Sequence, residues 1–96
     1  MSERIETLRN AVETLHHSKA SHKMSSPILE TFRGQRVWEG VVESFALSGH
    51  PKTKRCYAWS FMEKGEPQYV TALEIPPVEL PITAVRAAIA AQQKGS

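Results

Sequence analysis

Apolar residues fall at Ile5, Leu8, Val12 and Leu15, spacings of three, four and three that line one narrow face of a helix over residues 1–15. Ser2 is placed to cap this helix, and Glu3 to meet the positive end of its dipole. The pattern fades after Leu15. The run HHSKASHKMSSP is polar, serine-rich and closed by Pro27, and reads as a linker. In ILETFRGQ the apolar positions are too few to define an element, although Ile28, Glu30 and Phe32 suit the start of a strand.

Three strands are expected in the middle of the chain. RVWEGVVESFAL (36–47) is rich in valine and aromatics, with Val37, Val41, Phe45 and Leu47 on the same parity as Glu39 and Glu43. That mixture predicts a half-exposed strand with a bulge at Gly40. SGHPKTK follows as a loop, because Gly49 and Pro51 both interrupt strands. RCYAWSFME alternates strictly, with Tyr57, Trp59 and Phe61 on one face and Cys56, Ala58, Ser60 and Met62 on the other. A turn around Gly65 and Pro67 leads into QYVTALEI, which ends at Pro76 and Pro77. Pro81 suits the first position of a second helix, PITAVRAAIAAQQK, whose five alanines favour helix and whose C′ residue is Gly95.

The expected fold is therefore α+β: a helix, a three-stranded antiparallel meander sheet and a C-terminal helix (α-β-β-β-α). Residues 1–24 form an N-terminal helix and polar linker, and residues 25–96 form the sheet with its helix. The alanine-rich helix is expected on the small-residue face of Cys56, Ala58, Val70 and Ala72, leaving Tyr57 and Trp59 pointing away.

Composition narrows the chemistry. All ten acids of this 96-residue chain are Glu, which excludes a Ser-His-Asp triad and an Asp-built calcium loop. The single cysteine, Cys56, excludes an internal disulfide and a cysteine-clustered zinc site. No apolar run approaches the ~18 residues of a membrane helix, and the N-terminus has Glu3 and Glu6 where a signal peptide needs a basic flank and an apolar run, so a cytoplasmic location away from membranes is expected.

Twelve Lys and Arg against ten Glu leave a net +2, unevenly spread. Arg33 precedes and Arg36 opens the first expected strand, while His50, Lys52, Lys54 and Arg55 crowd the loop ahead of Tyr57 and Trp59. Cations beside exposed aromatic rings are what a nucleic-acid surface needs, since cations displace counterions from phosphates and rings stack on bases. The competing reading has the cations solubilising a hairpin tip and the rings packing in a core or interface.

Other constellations carry less. His16 and His17 are adjacent and cannot converge on one ion from a helix, and Glu13 with His17 supplies two ligands where zinc takes three or more; no metal and no cofactor is expected. Cys56 reads as a buried, inert thiol rather than a nucleophile activated by His50. Glu39 and Glu43 share a strand face about 13 Å apart, too far for a paired-carboxylate hydrolase, and read as rim charges. The stripe Ile5, Leu8, Val12 and Leu15 either seals the domain's own core or forms an interaction face for a second chain.

Two resemblances follow from these segments. VWEGVVESFALSGHPKTKRCYAWSF, continuing to LEIPPV and TAVRAAI, resembles small bacterial proteins of unassigned function over about half of the chain. The order helix, three strands, helix is similar to that of double-stranded-RNA-binding domains, in which the first hairpin loop enters a minor groove and lysines at the second helix hold phosphates. GHPK occupies the corresponding loop here, but the second helix opens on Glu79, Leu80, Pro81, Ile82 and Thr83, without a lysine cluster. The functional expectation is a small non-enzymatic protein-interaction module that self-associates as a homodimer or binds another protein. The alternative is a nucleic-acid-binding protein using the basic loop and aromatic sheet face.

Overall fold

The computed structural model describes residues 3–76 and 78–94. Ser2, Pro77 and Gly95, assigned above to a cap, a strand end and a helix end, lie outside them. The order is α1 (Glu3–His16), β1 (Lys19–Phe32), β2 (Gln35–Ser48), β3 (Arg55–Glu63), β4 (Glu66–Leu73) and α2 (Pro81–Lys94). The four strands form one antiparallel sheet in the order β1-β2-β3-β4. The α+β class and both helices are as expected; the sheet has one strand more.

The additional strand, β1, runs through the expected linker, so the boundary at residue 24 falls inside a strand paired with β2 from Lys19↔Ser48 to Phe32↔Gln35. Its polar sequence suits the place it takes at the edge of the sheet. An edge strand tolerates Pro27, and Lys23 sits in a register shift between His22 and Met24. A second shift lies between Glu30 and Thr31. The bulge expected at Gly40 is absent: Gly40 pairs regularly with Ile28. A side chain there would collide with Trp38, whose Cη2 lies 2.9 Å from the position a Cβ would take. Gly40 thus gives the Trp38 indole room to lie along its own strand.

Both hairpins turn on two residues with positive φ, Arg33-Gly34 (54° and 78°) and Lys64-Gly65 (53° and 80°). This pattern matches the right-handed strand twist, and it sets the register of β3 against β4. Trp59 pairs with Val70 and Tyr57 with Ala72, while Cys56 pairs with Leu73 and Ala58 with Thr71.

That register corrects the expected faces. Val70 and Ala72 lie beside the aromatics, and α2 covers the aromatic face: Tyr57, Trp59 and Val42 pack with Ala84 and Val85. The small residues Cys56 and Ala58 instead leave room for α1, whose Leu8 and Val12 pack on them with Phe45 and Leu47. Large strand residues meet the alanine helix and small strand residues meet the leucine–valine helix, so volume is complementary in both layers. The sheet thus carries one helix on each side, and its core lies beneath them.

Candidate interaction surface

The two helices differ on their outer sides. The outer side of α1 carries Glu3, Arg4 and Asn10, while Arg9 joins Glu6 and Glu13 within the helix. On α2 the outward positions 86, 87, 90 and 91 are Arg86 and three alanines. Arg86 is the one charged side chain on α2 among those described, and it is drawn aside to Glu30 on β1. Two of the alanines, Ala87 and Ala91, share one side of α2 with Ala84 and Ala88, spaced as neighbours on one helix face.

This alanine side forms one wall of an apolar groove of about 670 Å³ between α2 and the β3–β4 hairpin, with Trp38, Trp59, Phe61 and Val70 as floor and far wall. The two indoles meet edge to face, centroids 5.8 Å apart at 77°, a favourable arrangement of ring quadrupoles. Phe61 is 41 % exposed at the rim. Thr71 also borders the groove, but its hydroxyl is hydrogen-bonded to His16 at 2.8 Å.

The residues assigned above to nucleic-acid contact are not brought together. Tyr57 and Trp59 are only 2 % and 3 % exposed, beneath α2, and cannot stack on a base without displacing that helix. The Tyr57 hydroxyl lies within hydrogen-bond distance of the Glu74 carboxylate and the Glu79 carbonyl. It thereby ties down the segment leading into α2, and burial together with Glu74 pushes its pKa up to about 12. Arg33 and Arg36 stand at the β1–β2 turn, Arg33 over the Phe32 ring and Arg36 joined to Glu39. Lys52 and Lys54 are exposed in the β2–β3 loop, and Arg55 lies 3.8 Å from Glu74. The two groups sit at opposite ends of β2, separated by about 40 Å of strand, far beyond the reach of screened charge. His50, in the same loop, accepts a hydrogen bond from the Lys52 backbone on Nδ1.

The α1 stripe is spent mostly on the chain's own core. Leu8 and Val12 are fully buried and Ile5 packs against them, while Leu15 is 57 % exposed. At the first turn of α2, the Thr83 hydroxyl accepts from the backbone N–H groups of Glu79 and Leu80, a partner for otherwise orphaned donors.

A buried carboxylate is the main feature the sequence reading missed. Glu43 is fully buried, where a rim charge was expected. Its Oε2 accepts from Arg4 of α1, and its Oε1 from the Ser25 hydroxyl and from His22 Nε2 at 2.8 Å. Burial alone would raise its pKa; the hydrogen bonds from Ser25, His22 and Arg4, with the Arg4 charge, outweigh that and hold it below the ordinary 4.5. Ser, His and Glu meet here, yet not as a catalytic relay. The same His22 nitrogen faces both Glu43 and, at 3.4 Å, Ser25, whereas a relay needs one imidazole nitrogen for each. The one available signal was Glu43 standing in register with Phe45 and Leu47.

Cys56 is buried, and burial pushes its thiol up to about 12. No three or more His, Cys, Asp or Glu side chains are placed to hold a metal ion among the described residues, and none of their helices is long and apolar enough to cross a membrane. No family model, curated protein or solved structure matches the chain.

Proposed function

We propose that this chain is a non-enzymatic protein-interaction module that self-associates through α2 and the groove beside it. The observation that carries the reading is the alanine side of α2, free of charge and bordering an apolar groove floored by two tryptophans. A helix exposed only to water gains from charged residues on that side, as on α1; alanine there instead permits a second helix to approach, to an axis distance of about 8 Å. Two-fold pairing makes each α2 both wall and occupant: the α2 of either copy enters the groove of the other. No charge is buried in doing so, because Arg86 is held by Glu30 on the opposite side. One helix and a groove rim make a small interface, below the about 1,200 Å² of stable complexes, so the expected association is weak and concentration-dependent. The buried carboxylate held by three donors and the inert thiol both support a structural, non-catalytic reading.

Sedimentation across a concentration series tests this. Dimer formation is expected in the wild type, lost in Ala87→Glu and kept in Ala90→Glu, which adds the same charge on the other side of α2. A wild type that stays monomeric throughout, or equal behaviour of the two variants, overturns self-association. A photo-crosslinker at Ala91 that joined a different protein in cells would keep the interaction reading and replace the partner.

A further inference from the structure

The C-terminal end of α1 meets the sheet through histidines. His16, the last residue of α1, is partly buried, and its Nε2 shares a 2.8 Å hydrogen bond with the hydroxyl of Thr71 on β4. On its other side stands His50 of the β2–β3 loop, ring centroids 6.1 Å apart and edge to face at 76°. His17, at φ 52°, turns the chain out of the helix in a left-handed conformation, and Ser18 closes the corner by donating to the His16 carbonyl at 3.1 Å. Three imidazoles from two segments thus gather where the helix, the loop and β4 join.

We propose that the His16–His50 contact is a pH-sensitive latch, fastening the end of α1 to the β2–β3 loop while the His16 ring is neutral and releasing it on acidification.

The charges around the contact favour release. The groups facing His16 are His50 from the loop, Thr71 from β4 and His17 from its own segment, and none of them supplies a negative charge. Glu13, one turn earlier, is engaged by the Ala20 backbone N–H and by Arg9. The loop that carries His50 also carries Lys52 and Lys54, and Lys19 opens β1. Arg55, which follows the loop, has Glu74 as its partner. Acid therefore adds positive charge to an end already rich in it.

A helix C-terminus by itself favours an imidazolium. Burial, then His50 and His17, outweigh that preference and hold the His16 pKa below the ordinary 6.5. The sign follows from proton linkage. The unfolded chain takes up the proton more readily, so the stability that neutral His16 supplies is complete above about 6.5 and is lost as pH falls toward its lowered folded value. Protonation need not break the bond to Thr71, since an Nε2–H can still donate. What it adds is a partly desolvated cation beside two further imidazoles. The opposite end of α1 is held by Arg4 on the buried Glu43, so release is confined to the last turn and the loop.

Hydrogen exchange, corrected for intrinsic rates, reads this directly. Between about pH 7 and about pH 5.5, the range in which imidazoles charge, protection in the last turn of α1 is expected to fall several-fold while the middle of β2 keeps its protection. In His16→Gln, which retains a neutral hydrogen-bonding side chain, protection is expected to be the same at both pH values. His50→Gln removes the neighbour, and the His16 midpoint, followed by its ring C–H resonance, is expected to move up. Unchanged protection in the wild type, the same loss in His16→Gln, or an unmoved His16 midpoint in His50→Gln would each overturn the latch. The wild-type titration alone decides it if a variant fails to fold.

Discussion

Arg4 on α1 and Glu43 on β2, 39 residues apart in sequence, form an ion pair in which one partner is half exposed and the other fully buried. The asymmetry decides what each loss costs. Arg4→Ala strips a donor from a carboxylate that cannot reach water, whereas a freed Arg4 side chain can.

Arg4→Ala is accordingly expected to destabilise the fold by about 1–3 kcal/mol, and to cost much less in a Glu43→Gln background. A double-mutant cycle from urea midpoints measures the difference; additive effects would show that the pair does not couple. Because the Glu43 pKa is depressed, the stability it supplies is complete above about 4.5 and lost as pH falls through its lower folded value. Glu43→Gln should flatten this acid limb.

Gly40→Ala is expected to be unfavourable even though glycine costs a strand more entropy than alanine does. The new methyl meets the Trp38 indole, and moving that ring disturbs its edge-to-face contact with Trp59. A loss of about 1–3 kcal/mol, the range for overpacking, should accompany a changed near-ultraviolet circular dichroism spectrum. An unaltered spectrum and midpoint would mean that the ring moves freely.

Cys56 is expected to resist thiol reagents at neutral pH in the folded protein and to react fully in denaturant. Its thiol is buried and pushed up to about 12, which leaves almost no thiolate. Rapid modification under native conditions would show that α1 lifts from the sheet far more often than its packing implies.

Removal of residues 1–24 is expected to abolish the cooperative fold. The truncation deletes α1, uncovering Phe45, Leu47 and Cys56, and takes the first part of β1 from its pairing with β2. Far-ultraviolet circular dichroism with thermal melting checks this, and a retained sharp transition would establish residues 25–96 as an independent unit.

Much of the architecture was legible from local pattern. Strict alternation located β3, and the proline start and alanine content located α2, because in those segments propensity and burial agree. β1 was not legible. Edge strands need no strong apolar alternation, and KASHKMSSPILETF fills several inward positions with small and polar groups such as Ala20, His22 and Ser26. The face of α2 was misjudged for a related reason. Parity within a strand says which residues share a side, but the register between β3 and β4 depends on the Lys64-Gly65 turn. Burial of Glu43 depended on Arg4, His22 and Ser25, which approach it from segments distant in sequence, so no local pattern announced it.

The seam between the two hairpins has a consequence for how the protein is made. β1 and β2 pair over most of their length, as do β3 and β4, but β2 and β3 pair only from Glu43↔Ala58 to Ala46↔Arg55. Beyond that short ladder the halves are joined by the Trp38–Trp59 contact and the Leu47 N–H to Lys54 carbonyl bond, and by the helices packed on either side. One helix precedes the four strands along the chain and the other follows them. Until α2 has been synthesised, Tyr57, Trp59 and Val42 have no cover, and half of the core waits on residues 81–94. Any stop codon ahead of residue 81 would therefore yield a chain whose strands are all present and whose aromatic layer is bare, a form fitted for capture by chaperones or proteases rather than for persistence.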